Sequence, residues 1–347
     1  MHLLRQLGTL ALLSASACSG TDGPANRAKP PSGKPAATVS ESTAFDPGPV
    51  EDGYTRFTAK TIKGVEPGGN VTYCQYVMAP TDHDVDVLDV TGAQSEIGHH
   101  AIAFAYTDNG TQEVGAILPC MGTEYTKGDA GASNASLSIG GFLGAAGGKG
   151  RAAVKLPDGV AFRLRKGDGI MMNVHYLNTT DRFVDGDSVV DVKFADVDPQ
   201  RPIAAMFVNV NFDVSLAPNA PTSSSVQCVA QSDMRLLMAN NHMHDYGSST
   251  TTEVVRADTG ASDMLHADPT WTSDMQFNPV FSTWTIDDPF VVHSGDTIKT
   301  TCNWTNRSTE TVTFPREMCV GVGFVLANGE NPHAPGCLGG NWLPQYF

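Results

Sequence analysis

Beyond its first residues the chain has no apolar run long enough to be a transmembrane helix. Basic residues are scarce: Lys plus Arg total 22 against 37 Asp plus Glu, a net charge of -15. That balance excludes nucleic acid as a partner, because phosphates demand a basic surface. Strong helical periodicity is absent, and there is no tandem repeat. None of the seven cysteines forms a CxxC pair, which argues against a zinc-thiolate site. A phosphate loop is missing too. In SIGGFLGAAGGKGRAAVKLPDG, Leu143 stands where the motif needs its first glycine, and Gly150 where it needs Ser or Thr, so the segment reads as a Gly-rich loop.

The start of the chain indicates the compartment. Arg5 gives a positive head, Leu7 to Ala17 is a short apolar stretch, and Ala15-Ser16-Ala17-Cys18 follows. Residues 1–17 read as a secretory signal. A Cys directly after small residues resembles a bacterial lipobox with Cys18 lipidated; an ordinary signal with an incidental Cys is the other reading. Residues 18–52 are rich in Pro, Gly, Ser and Ala and hold almost no large apolar side chains, so they read as a disordered tether. The expectation is an exported cell-envelope lipoprotein that meets the membrane only through its lipid. Six cysteines remain: Cys74, Cys120, Cys228, Cys302, Cys319 and Cys337. An even number in an exported chain points to disulfides, and spacing alone does not choose the pairs.

From Tyr54 onward the sequence is short apolar or alternating runs between Gly, Asp, Asn and Pro. VTYCQYVM, HHAIAFAY, GIMMNVHYL, AAMFVNVNFDV and DTIKTTCNW are examples. Many short strands with turn signals predict an all-β protein of sandwich type. The ~290 residues involved exceed one sandwich of about 100, so two are expected. The best seam is Asp196 to Pro202, giving domains at 53–198 and 199–347.

Histidines carry the chemical signal. His99 and His100 stand side by side at the head of an apolar strand, His175 lies in MMNVHYLN, and His242 and His244 flank Met243 in NNHMHDYG. On an extended backbone His242 and His244 share a face. Adjacent His99 and His100 reach one ion only where the strand is bulged or ends, or through different ring nitrogens. Taken singly, each of these residues reads as well as a solvated or satisfied histidine. Imidazole suits copper, zinc, iron and nickel alike, whereas thioether selects copper(I). Met318, beside Cys319 in PREMCVGVGF, is a candidate soft ligand.

The order Cys74, His99-His100, Cys120, His175, Cys228, His242-Met243-His244, Cys302, Met318-Cys319, Cys337 resembles the copper type II, ascorbate-dependent monooxygenases, the family of peptidylglycine α-hydroxylating monooxygenase and dopamine β-monooxygenase. The resemblance runs from about residue 54 to the C-terminus. It implies two jelly-roll-like antiparallel β-sandwiches packed together and two copper ions per chain. His99, His100 and His175 would hold the electron-transfer copper in the first domain. His242, His244 and Met318 would hold the oxygen-activating, catalytic copper in the second. The implied disulfides are Cys74 with Cys120, Cys228 with Cys337, and Cys302 with Cys319.

In such a family the all-histidine copper sends an electron across a solvent-filled gap, and a substrate C–H becomes C–OH with O2 and a one-electron donor such as ascorbate. Two departures bear on the substrate. Asn240 stands where peptide-hydroxylating members carry an Arg that grips a carboxylate, and Val322 where they carry a Tyr. A small molecule less charged than a peptide is expected, and no protein partner is named by the sequence. The competing readings are a copper-binding lipoprotein for storage or sensing, and a metal-free adhesive β-sandwich.

Overall fold

The computed structural model describes residues 44–107, 113–119, 139–147, 154–276, 278–314, 316–327 and 334–344. Cys18 and Cys120, and with them the expected lipid anchor and the expected partner of Cys74, lie outside the described residues. The chain from Ala37 to Phe347 forms one compact unit. It is an all-β protein of mainly antiparallel sheets, with one parallel pair between Ala204–Asn211 and Gly336–Leu338 and a 3-10 turn at Ser273–Gln276 among the described residues. Among the described residues no helix is long and apolar enough to cross a membrane.

The strand signal is clearest where one face is buried. Thr297–Asn306 alternates strictly, with Ile298, Thr300, Cys302, Trp304 and Asn306 buried, because successive side chains point to opposite faces. In the first half, one sheet orders Tyr54–Thr58, Ser188–Ala195, Val85–Gln94 and Phe162–Leu164. The facing sheet orders Ile117–Pro119, Asn70–Met78, Asp168–Leu177, Gly98–Thr107 and Ile139–Gly147, so the first part of the Gly-rich segment expected as a loop is instead an edge strand paired with Gly98–Thr107. In the second half, Ala220–Val229, Thr297–Asn306, Gly247–Val255 and Ser262–Asp268 form a four-stranded sheet. It lies against a seven-stranded sheet centred on Met234–His242, Cys319–Leu326 and Ala204–Asn211. Among the described residues no sheet takes strands from both sides of the 196–202 seam.

The halves share a core. Phe142 and Phe162 of the first half meet Phe324 of the second at ring-centroid distances of 5.4 and 5.8 Å. At the seam the fully buried Asp86 carboxylate takes Arg163 Nε at 2.5 Å and also Arg201 Nη1. The Asp198 backbone N–H adds a bond to the same carboxylate at 3.3 Å. One buried acid thus ties the connecting segment to the first sandwich.

Two disulfides follow the expected pairing. Cys228–Cys337 and Cys302–Cys319 have Cα–Cα distances of 6.2 and 5.8 Å. They fit an oxidising compartment outside the cytosol.

Removing the seam carboxylate leaves two guanidiniums without their partner. Asp86→Asn is expected to lower unfolding free energy toward the low end of the about 3–5 kcal/mol that breaking a buried pair costs. Both arginines keep some access to water, which limits the loss. Urea unfolding of the variant against the parent measures it; an unchanged midpoint would remove Asp86 from this role.

Candidate metal centre

The neighbours His99 and His100 reach one point because the strand is bulged there. Gly98 pairs with Tyr176 and His100 with His175, so His99 is the extra residue between them. A bulge turns the unpaired side chain out of strict alternation. Gly98 makes the entry possible. A Cβ there would stand 2.2 Å from Gln94 Cβ and 3.0 Å from Ser95 O, in a turn closed by the Gly98 N–H donating to Ser95 O at 2.7 Å. His175 comes from the adjacent strand, directly opposite His100.

One ring nitrogen of each of His99, His100 and His175 lies within 4.8 Å of the others. Each ring's other side is engaged by an amide oxygen. His99 Nε2 meets Gln276 Oε1 at 2.9 Å, His100 Nε2 meets Asn173 Oδ1 at 2.9 Å, and His175 Nε2 meets Asn70 Oδ1 at 2.6 Å. An amide oxygen only accepts, so each Nε2 carries the proton and each Nδ1 of a neutral ring carries a lone pair. His99 Nδ1 and His100 Nδ1 are 3.1 Å apart. Lone pairs brought together this way suit a cation, and orienting amides behind metal-binding imidazoles are a recurrent arrangement. Burial first, then neighbouring imidazole charge, lowers the His99 pKa to about 3; burial lowers that of His100 to about 4 and takes His175 well below its ordinary value.

The second set lies at the end of the Met234–His242 strand. Met243 is buried with Trp271, Trp304 and the Cys302–Cys319 disulfide. Anchoring the middle residue inward directs His242 and His244 to the other face, with ring centroids 5.1 Å apart. Burial, then His244, lowers the His242 pKa well below the usual value. Met318 lies two residues before Val320, the residue that pairs with His242. The buried Glu317 closes this corner. Its Oε1 accepts the His244 and Met318 backbone N–H groups at 2.6 and 3.1 Å, and its Oε2 accepts Tyr246 N–H at 3.0 Å. His244 Nδ1 faces the Arg316 carbonyl at 3.2 Å, so it carries the proton and Nε2 the lone pair.

The two sets meet. The His99 and His244 ring centroids are 6.2 Å apart, where the family resemblance implies a solvent-filled gap. Gln276 accepts from His99 through Oε1, and its Nε2 donates to Asp245 Oδ1, the residue after His244, at 2.9 Å. All six residues singled out in the sequence therefore fall in one region. Gln276, Glu317, Asn70 and Asn173 were not foreseen, being common residue types without a motif. The donor chemistry suits copper: three nitrogens converge at one place, and at the other two imidazoles lie at a strand end whose neighbouring strand is preceded by the thioether of Met318.

No family model matches the chain, and no curated protein matches it. Solved structures that do match are remote. The VP2 subviral particle of infectious bursal disease virus is 9% identical, covering 84% of this chain and 76% of that one with TM-score 0.20. PBCV-1 VP54 is 8% identical over 83% and 98%, with TM-score 0.29. A putative secreted protein from Parabacteroides distasonis is 7% identical over 81% and 92%, with TM-score 0.18. Likeness this slight carries no functional meaning.

The lowered histidine pKa values set a pH dependence. In the unfolded chain imidazoles take protons near pH ~6.5, while His99 and His100 in the fold stay neutral to about 3 and 4. Their neutral packing is thus fully compatible with folding above pH ~6.5 and increasingly costly as pH falls. The metal-free protein is expected to lose thermal stability steadily from pH 7 to 4. Replacing His99 and His100 together by Gln should flatten that slope. Equal slopes in the two proteins, by scanning calorimetry, would refute it.

Proposed function

We propose that this protein is an exported two-copper monooxygenase that hydroxylates a C–H bond of a small molecule. The observation that carries the reading is the closeness of the His99/His100/His175 donor set to the His242/His244 pair, with the His99 and His244 rings 6.2 Å apart and Met318 on the strand segment beside that pair. Copper bound there would supply one-electron redox chemistry, so that R–H, O2, two electrons from a donor such as ascorbate and two protons give R–OH and water. The residues do the rest. Asn70, Asn173 and Gln276 hold the first three rings in the tautomer that offers Nδ1. Glu317 and the Arg316 carbonyl fix the second set, and the Cys302–Cys319 bridge pins the backbone beside Met318. All six ligand positions are kept, which favours turnover over storage or sensing. The disulfides support export, and the Cys18 motif supports a lipoprotein of the cell envelope.

The substrate follows from the same strand. Asn240 precedes His242 by two residues, so it shares that face, opposite Val322. Its Nδ2 donates to Asn241 O at 3.2 Å, whereas its buried Oδ1 has no hydrogen-bond partner among the described residues. A buried acceptor left over in an apolar wall (Val208 and Val322 adjoin it) suits a neutral molecule with one O–H or N–H donor. It does not suit a carboxylate. Losing a charged clamp costs ~1.5–3 kcal/mol, roughly ten- to a hundredfold in affinity for a carboxylate substrate.

The purified protein is expected to take up two coppers. X-ray absorption of the reduced form should contain a copper–sulfur component that Met318→Ile removes, leaving nitrogen-ligated copper behind. With oxygen and ascorbate, neutral benzylic compounds should be hydroxylated in preference to glycine-extended peptides. One copper per chain, or no sulfur signal, sinks the two-site reading. Efficient peptide hydroxylation sinks only the substrate assignment. Two redox-active coppers with no oxygen-dependent product on either class would leave storage or sensing.

A further inference from the structure

A Ser–His–Asp relay that shares no residue with the candidate metal centre lies at one edge of the second sandwich. His266 and Asp268 are on Ser262–Asp268, the outer strand of the four-stranded sheet. Ser282 is on Ser282–Thr283, an outer strand of the seven-stranded sheet. His266 Nε2 meets Asp268 Oδ1 at 3.2 Å, and His266 Nδ1 meets Ser282 Oγ at 2.9 Å. His266 and Asp268 are buried, Ser282 half-buried.

The hydrogen-bond directions converge on Asp268. Asn241 Nδ2 donates to its other oxygen at 3.0 Å, and Thr252 Oγ donates to Asn241 Oδ1 at 2.6 Å. The Thr300 hydroxyl, 2.9 Å from Thr252 Oγ1, must then donate to it, and Asn209 Nδ2 donates to Thr300 at 3.0 Å. Every member points its proton toward one carboxylate, as an ionised acid that only accepts requires. His266 must then be protonated on Nε2. Its Nδ1 lone pair accepts the Ser282 hydroxyl, leaving the serine oxygen polarised. The imidazole uses its nitrogens in the opposite sense to the well-known protease triad, but the roles are the same.

We infer that Ser282, with His266 as base and Asp268 as its orienting acid, is a nucleophile toward activated esters of apolar acyl groups. Val280, 60% exposed, precedes it by two residues and offers an apolar side chain to the acyl chain. Ser282 Oγ bonds to the acyl carbon while its proton passes to His266 Nδ1. The aryloxide leaves and takes that proton. Water then bonds to the acyl carbon, giving one proton to Nδ1, and Ser282 Oγ departs with it as the acid is released. Nucleophile and base are the parts the geometry defines. The substrate is therefore an aryl ester, whose leaving group departs readily, and not an amide.

The test uses the whole chain stripped of copper by a chelator, with an alkyl fluorophosphonate probe and p-nitrophenyl butyrate. Mass spectrometry is expected to place one phosphonyl group per chain on Ser282, with ester hydrolysis blocked in step. Ser282→Ala should abolish both. His266→Gln should slow labelling about a hundredfold or more, the usual share of a general base. Should that variant not fold, the wild type decides alone: labelling at Ser282 must vanish in urea. A folded wild type unlabelled at Ser282, labelling that survives in urea, or a folded His266→Gln that labels at the parent rate overturns the assignment.

Discussion

The candidate metal centre depends on one inserted residue. Without the bulge at His99, neighbouring side chains of the Gly98–Thr107 strand would fall on opposite faces, and the first ligand pair would be split between core and exterior. With it, His99 turns toward His100, and His175 arrives from the next strand in direct register. The bulge also points His99 beyond its own sandwich, where Gln276 of the other half takes its Nε2. A backbone irregularity of a single residue therefore does two things: it assembles one donor set and brings that set against the second.

The second set uses regular geometry. Strict alternation through His242-Met243-His244 needs its middle residue anchored, and Met243 is buried beside two tryptophans and a disulfide. Gly321, paired with both Asn241 and Asn209, keeps the strand flat over the polar network behind it. A Cβ there would lie 2.5 Å from Thr300 Oγ1 and 2.7 Å from Thr252 Oγ1. The same strand thus presents imidazoles on one side and a closed hydrogen-bond chain on the other. Rigid placement of this sort is what a metal site needs, since ligands that must be gathered at binding cost affinity.

Much of this was legible in the sequence because it is local. Strand alternation, the HxH face and the need for a bulge, a strand end or different ring nitrogens at His99-His100 all follow from a period of two; the structure takes the bulge. The pairings Cys228–Cys337 and Cys302–Cys319 were implied by the family resemblance, not by spacing, and the structure has both. The supporting residues were not legible because their partners are remote. Asn70 lies 105 residues from His175, and Gln276 lies 177 from His99. An amide oxygen behind an imidazole leaves no periodic trace. Glu317 stood in view beside Met318, but only the fold reveals that its carboxylate collects three backbone N–H groups. The closeness of the two sets was hidden for the same reason: it is a property of how two sandwiches share a core.

That closeness has an electrostatic consequence. Burial and mutual repulsion push His99, His100, His175 and His242 toward neutrality, and the shifts of all four owe part of their size to other imidazoles of the centre. Protons are therefore poor counter-ions here, because each one charges a ring that its neighbours and its burial disfavour. A metal cation held there would differ: several donors would share its charge, and none would become an isolated buried ion. The region is built to reject protons while keeping its nitrogens available. In such a region metal affinity should fall little on mild acidification, since few protons compete for the donors.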